Sequence, residues 1–152
     1  MNLRKKTKGE KNMNLRKKTK GEKKRNVLNR SFLGISVRGI GAVEFYQKAF
    51  DAKLVSEHKN DDGTYMHAEL DVYGQVIAIQ EIWPRDMDLI TGTIMQFNLH
   101  FASGKQAIVE KAYEVLKEDA QINFPLGECF FSPLMFGLID KYGVNWCVFV
   151  DY

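Results

Sequence analysis

Residues 42–50 read Ala-Val-Glu-Phe-Tyr-Gln-Lys-Ala-Phe (AVEFYQKAF), and their spacing sets the frame for the rest of the chain. Ala42, Phe45, Tyr46, Ala49 and Phe50 fall at i, i+3, i+4, i+7 and i+8, which is one face of a helix. Arg38-Gly39-Ile40-Gly41 precedes it as a turn, and SFLGISV (31–37) before that reads as a short strand. Downstream, AKLVSEHKN (52–60) is a strand, and Asp61-Asp62-Gly63 is a hairpin turn. TYMHAELDV (64–72) alternates, with Met66, Ala68, Leu70 and Val72 on one face and Tyr65, His67, Glu69 and Asp71 on the other. Tyr73-Gly74-Gln75 turns the chain into VIAIQEIW (76–83). The unit spanning 30–83 is therefore β-α-β-β-β.

After a linker over 84–93, which holds Pro84 and Gly92, the same order restarts over 94–152. IMQFNLHFA (94–102) is a strand with Met95, Phe97, Leu99 and Phe101 on its apolar face and Gln96, Asn98 and His100 on its polar face. Ser103 and Gln106 have the spacing of a capping box. The helix from Gln106 to about Asp119 is expected to bury Ile108, Ala112, Val115 and Leu116. QINF (121–124), FSPLMFGLID (131–140) and VNWCVFVDY (144–152) supply three strands, the last two joined by Asp140-Lys141-Tyr142-Gly143. The fold class is α+β: two tandem β-α-β-β-β units forming a curled, cup-shaped mixed sheet with helices outside. Their polar faces could curl around a shared cavity.

Composition restricts the function classes. A chain of 152 residues suits one domain, and two cysteines are too few for a disulfide framework, so a reducing cytoplasm is expected. No apolar run is long enough to span a bilayer, and no apolar segment of signal-peptide type follows the basic start. The net charge of +3 hides an uneven distribution. Residues 1–25 carry 12 Lys/Arg against Glu10 and Glu22 (+10), which leaves 10 Lys/Arg against 17 Asp/Glu (−7) for the rest. The body shows no basic stripe for nucleic acid. The leader, 1–28, contains MNLRKKTKGEK twice, at 1–11 and 13–23. It has too little apolar surface to fold alone. It reads as a start-site duplication or, alternatively, as an electrostatic tether to RNA or anionic lipid. The folded domain is expected over 29–152.

AVEFYQKAF (42–50), Met66-His67-Ala68-Glu69-Leu70 and GLIDKYGVNW (137–146) together resemble the vicinal oxygen chelate superfamily of glyoxalase I, bleomycin-resistance proteins and extradiol dioxygenases, and within it the PhnB-like branch. The resemblance covers roughly residues 30–150, and Asp140-Lys-Tyr-Gly-Val-Asn-Trp146 resembles that branch's D-x-F-G-V-x-W pattern. It implies a small-molecule ligand, a homodimer, and in metal-dependent members four ligands on the first and last strands of each unit. Those positions fall on Ser31, Gln96, Ala78 and Cys147. A serine and an alanine cannot replace a histidine and a carboxylate, so no cofactor is expected, and metal: none is the reading at these positions.

By alternation, the face lining the cavity is read as Ser31, Leu33, Ile35, Tyr65, His67, Ala78, Gln80, Gln96, Asn98, His100, Asn145 and Cys147. The binding residues chosen from it are His67, Gln80, Gln96, Asn98, His100, Cys147, Ser31 and Tyr65. Such a pocket suits a small polar or aromatic molecule held by hydrogen bonds, and it lacks the arginine or lysine a phosphate would want. His67 and Glu69 share a face and could act as an acid–base pair. His67, His100 and Cys147 could alternatively hold zinc. Cys147 reads as a buried thiol, Glu81 as an edge or interface residue, and His58 as surface. The function expected is ligand binding, with a lyase, isomerase or thiol transferase using His67 or His100 as the alternative.

Overall fold

The computed structural model describes residues 31–81, 92 and 94–152. The leader, Trp83 and nearly all of the 84–93 linker lie outside the described residues.

The first unit runs β1 (Leu33–Ser36), α1 (Ala42–Phe50), β2 (Lys53–Lys59), β3 (Tyr65–Val72) and β4 (Gln75–Gln80). The second runs β5 (Phe97–Phe101), α2 (Gln106–Leu116), β6 (Gln121–Cys129), β7 (Ser132–Ile139) and β8 (Asn145–Val150). Each makes a four-stranded mixed sheet, ordered β1-β4-β3-β2 and β5-β8-β7-β6. In each, the strand before the helix lies parallel to the unit's last strand, and the other pairs are antiparallel. The architecture is α+β with two tandem β-α-β-β-β units, as the sequence pattern indicated.

One apolar core joins the two units. Ala68, Leu70, Ile77 and Ile79 of the first sheet and Phe136, Leu138, Trp146 and Val148 of the second are buried in it with both helices. Trp146 of β8 is its hub: its ring centroid lies 5.7 Å from Tyr46 and 5.1 Å from Phe50, both on α1, and 5.1 Å from Phe97 on β5. The sheets turn their helix-side faces into this core. Their other faces are left open, pointing away from it.

Helix α1 is held at both ends. Its N-cap, Gly41, has φ +91°, a conformation that any side chain would strain. Glu81, expected at an edge or interface, is instead 2% exposed. Its Oε1 accepts from the N–H groups of Gly41 (2.8 Å), Ala42 (2.8 Å) and Val43 (3.4 Å), and its Oε2 from that of Tyr65 (3.2 Å). A buried carboxylate at the start of a helix satisfies the orphan donors there and complements the helix dipole.

Helix α2 departs from expectation in three ways. It starts at Gln106 as expected, but Gly104 takes φ +82° and Lys105 is the N-cap, so Ser103 forms no capping box. It ends at Leu116, with Asp119 in a left-handed turn. It buries Val109 where Ile108 was expected. Strand β6 is longer than QINF and continues through Pro125, which is tolerated because β6 is an edge strand with register shifts on both sides of Phe124.

Candidate functional site: two open sheet faces

Register decides which side chains share an open face. In the first sheet Gly34 pairs with Ala78, Ser36 with Gln80, Ala78 with Glu69, and His67 with His58. Its open face therefore carries Ser36, His58, His67, Glu69, Ala78 and Gln80. In the second sheet Asn98 pairs with Cys147, His100 with Phe149, and Cys147 with Gly137. Gln96 and Asn145 precede these pairs on the same face, and Phe124 of β6 is opposite Gly137.

Two of the chosen residues are corrected. Tyr65 is 7% exposed and belongs to the hydrophobic core. A register shift between His58 and Lys59 on β2 breaks the strict alternation, so Tyr65 turns inward and Met66 outward. Ser31 lies ahead of β1, and the parity of that strand is opposite to the one read from sequence. Ile35 and Val37 are buried while Ser36 faces outward, its Oγ donating to Gln80 Oε1 at 3.3 Å. An apolar-rich strand with a central glycine gave no clear alternation from which to choose.

The six remaining residues divide between the sheets, with His67 and Gln80 on the first and Gln96, Asn98, His100 and Cys147 on the second. Zinc held jointly by His67, His100 and Cys147 does not follow from this placement. His67 Nε2 lies 3.4 Å from Glu69 Oε1. His100 stacks on Phe149 (4.5 Å between centroids, 17° between planes), and its Nε2 lies 2.6 Å from Asp151 Oδ1. Burial pushes the Cys147 thiol up from its ordinary value, with Cys129 adding to the shift. That opposes thiolate formation and nucleophilic activation.

Two grooves flank β5. One, of about 770 Å³, is lined by Ser36, Arg38, Gln96, Lys141, Tyr142 and Asn145 among others. The second, of about 620 Å³, is lined by Tyr73, Gln75, Asn98, His100, Phe101 and Lys105 among others. His67, Gln80 and Cys147 line neither. Unlike the face read from sequence, the grooves carry basic side chains, Arg38 and Lys141 in the first and Lys105 in the second. Lys141 is already engaged, with Nζ 3.3 Å from Glu118 Oε1 and 4.4 Å from the Phe45 ring centroid. The signal that could have located these grooves is the doubled Tyr-Gly turn, Tyr73-Gly74 and Tyr142-Gly143. The Tyr142 hydroxyl donates to Ile40 O (3.4 Å) at the end of the first unit's β1 loop, and Tyr73 packs edge-on against Phe101 (5.3 Å) at the end of β5.

Solved structures share this arrangement, among them three from bacteria. The PhnB protein from Bacillus cereus is 24% identical with a TM-score of 0.59, over 79% of this chain and 99% of that one. The glyoxylase/bleomycin resistance protein/dioxygenase domain from Frankia sp. EAN1pec is 19% identical with a TM-score of 0.58, over 83% and 99%. The fosfomycin resistance protein FosX from Listeria monocytogenes is 14% identical with a TM-score of 0.58, over 83% and 95%. This is the vicinal oxygen chelate fold. At these identities the likeness is one of fold. No protein-family model and no curated protein matches the sequence.

The positions where that fold's metal-dependent members place ligands do not fit such a centre in this chain. Ala78 offers a methyl group, Ser31 stands ahead of β1, and Cys147 is a thiol whose deprotonation burial opposes. Among the described residues no three His, Cys, Asp or Glu side chains already converge to hold an ion. None of the helices among them is long and apolar enough to cross a membrane.

Proposed function

We propose that the chain is a PhnB-like small-molecule-binding protein that works as a homodimer and without a glyoxalase-type metal centre. Its ligand cup is assembled from the first sheet's open face in one copy and the second sheet's open face in the other. The observation that carries this reading is the division of the polar side chains. His67 and Gln80 stand on one outward face, Gln96, Asn98 and His100 on another, and the shared core lies between them. A second copy can bring the two faces together. Exposed apolar residues at the second sheet's edge, Phe124 (60%) on β6 and Phe130 (95%) in the β6–β7 turn, support a partner of that kind. The cup offers amide and imidazole hydrogen bonds and the His100–Phe149 stack, which suits a small polar aromatic ligand.

Complementation tests both halves of the proposal. A compound is first found by thermal-shift screening of small aromatic carboxamides and carboxylates against the full chain. His67→Ala/Gln80→Ala and Asn98→Ala/His100→Ala variants are each expected to lose its binding as homodimers. Refolding an equal mixture should restore about a quarter of the sites, since random pairing makes about half of the dimers mixed and one of the two cups in each of those is intact. Restoration of nothing would show that the faces do not combine across copies.

A second reading, a lyase, isomerase or thiol transferase, is favoured by the His67–Glu69 contact, which gives a general base an orienting carboxylate. Proton exchange at an acidic carbon of the bound compound, abolished in His67→Ala and retained in His58→Ala, is its expected signature.

A further inference from the structure

We propose that the groove between β1 and the start of β5 binds an amphipathic organic acid, with its carboxylate on Arg38 and Lys141 and its hydrocarbon body against the apolar lining. The two cations belong to distant segments, and one contact brings those segments together. The Tyr142 hydroxyl donates to Ile40 O at 3.4 Å, which ties the 140–143 turn, carrying Lys141, to the 38–41 loop, carrying Arg38. Both cations line the same groove of about 770 Å³, a volume that suits a small organic ligand.

Charge sets this groove apart from the rest of the domain. Beyond residue 25 the chain holds 17 Asp/Glu against 10 Lys/Arg, yet none of the described residues lining the groove is acidic. Burial chiefly, and then the charges of Glu81, Asp140, Glu44 and Glu118, raise the Tyr142 hydroxyl above its ordinary value. None of those four carboxylates lines the groove: Glu81 and Asp140 are buried on donors of their own, and Glu118 is paired with Lys141. Lys141 is held in place, its side chain 28% exposed and its Nζ 4.4 Å from the Phe45 ring centroid. The bond to Glu118 uses one of the three N–H donors of the ammonium. Arg38 is exposed and brings the planar fork that matches a carboxylate. Leu33, Ile94, Met95 and Phe97 supply the apolar wall. Ile94 is 96% exposed and Met95 76%, so a bound hydrocarbon body would cover apolar surface that now faces water. Two cations, one of them already shared with a carboxylate, match a single negative charge on such a body. One chain supplies the whole lining, so the site does not rest on the two-copy cup, although Ser36 and Gln96 belong to the open faces as well.

Sodium decanoate is the probe, with decanamide to remove the charge and acetate to remove the apolar body. Calorimetric titration of the full chain is expected to show one decanoate per chain, binding of decanamide at least about 10-fold weaker, and no measurable binding of acetate. Arg38→Gln and Lys141→Gln should each lower decanoate affinity about 10-fold, whereas Lys141→Arg, which keeps the charge, should retain most of it. Glu118→Gln releases Lys141 from its partner and should raise the affinity about threefold. His67→Ala/Gln80→Ala, whose side chains line neither groove, should match wild type. The decanoate-dependent rise in Tm, followed in every variant, gives a second readout and shows that each is folded. Equal affinity for decanoate and decanamide, or no binding of decanoate, overturns the proposal. So does unaltered binding in Arg38→Gln/Lys141→Gln, which would place the anion on the basic leader, and so does loss of binding in His67→Ala/Gln80→Ala. The complementation experiment reads pairing between copies and can fail while every one of these titrations succeeds.

Discussion

The Tyr46 hydroxyl donates a 2.7 Å hydrogen bond to Asp140 Oδ2, joining the first unit's helix to the second unit's last turn. The same oxygen accepts from Trp146 Nε1 at 2.8 Å, and Oδ1 accepts from the N–H groups of Tyr142 (2.9 Å) and Val144 (3.0 Å). Asp140 is buried, so all four donors depend on it. Asp140→Ala is expected to destabilise the protein by about 3 kcal/mol, because the donors are left without an acceptor away from water. Urea denaturation of the variant beside wild type measures this. A change below about 0.5 kcal/mol would mean that water replaces the carboxylate at little cost.

The same contact predicts a pH dependence. Burial, and then the charge and hydrogen bond of Asp140, hold the Tyr46 hydroxyl well above its ordinary value of 10.0. A group raised in the folded state contributes stability that is complete below its unfolded value and lost as pH climbs beyond it. Stability should therefore fall from about pH 10 upward. Tyr46→Phe should be less stable at pH 8 and show a shallower alkaline decline. Equal slopes for the two proteins between pH 9 and 11 would assign the decline to other groups, among them Tyr142, whose hydroxyl is also raised, chiefly by burial.

Glu81 serves four backbone donors at the start of α1 and on β3. Glu81→Ala should cost about 2–4 kcal/mol, and Glu81→Gln clearly less, because the amide oxygen still accepts. Hydrogen exchange at the Ala42 and Val43 amides should accelerate in the alanine variant. Unaltered protection there would contradict the capping role.

Cys147 is buried with its thiol raised, whereas Cys129 is partly exposed. At pH 7.5 iodoacetamide should modify Cys129 first, and Cys147 should react only on denaturant-induced opening. Peptide mass spectrometry over time distinguishes them. Faster labelling of Cys147 would reopen a nucleophilic role.

If the proposed dimer forms, Phe124→Ser/Phe130→Ser should lower the solution mass toward one chain while leaving the circular dichroism spectrum unchanged. Light scattering across a concentration series reads the mass. A wild-type protein that is monomeric throughout removes the shared cup.

Most of the fold could be read from residue order. The period of AVEFYQKAF placed α1 to the residue, and the repeat of strand, helix and three strands fixed both units. The open faces were harder to assign. The second sheet's face followed simple alternation because Phe97, Leu99 and Phe101 mark its opposite side unambiguously. On the first sheet, Phe32 just ahead of β1 opposes the parity of Leu33 and Ile35, and the register shift between β2 and β3 inverts Tyr65 against Met66. Glu81 was misjudged because its burial depends on a helix terminus 40 residues earlier in the chain. The division of the polar side chains between two faces depends on how the units pack, which Trp146, Tyr46 and Phe50 settle through contacts between distant segments.

The twin turns Tyr73-Gly74 and Tyr142-Gly143 each reach across to a segment at the far end of the opposite unit's first strand. Both halves carry such a cross-brace. The surfaces between them differ: Gly34 and Ala78 occupy one sheet where Asn98 and Cys147 occupy the other. Selectivity should be sought where the halves have diverged, and a library randomising 34, 36, 78 and 80 against 98, 100, 147 and 149 would explore it without loosening either brace.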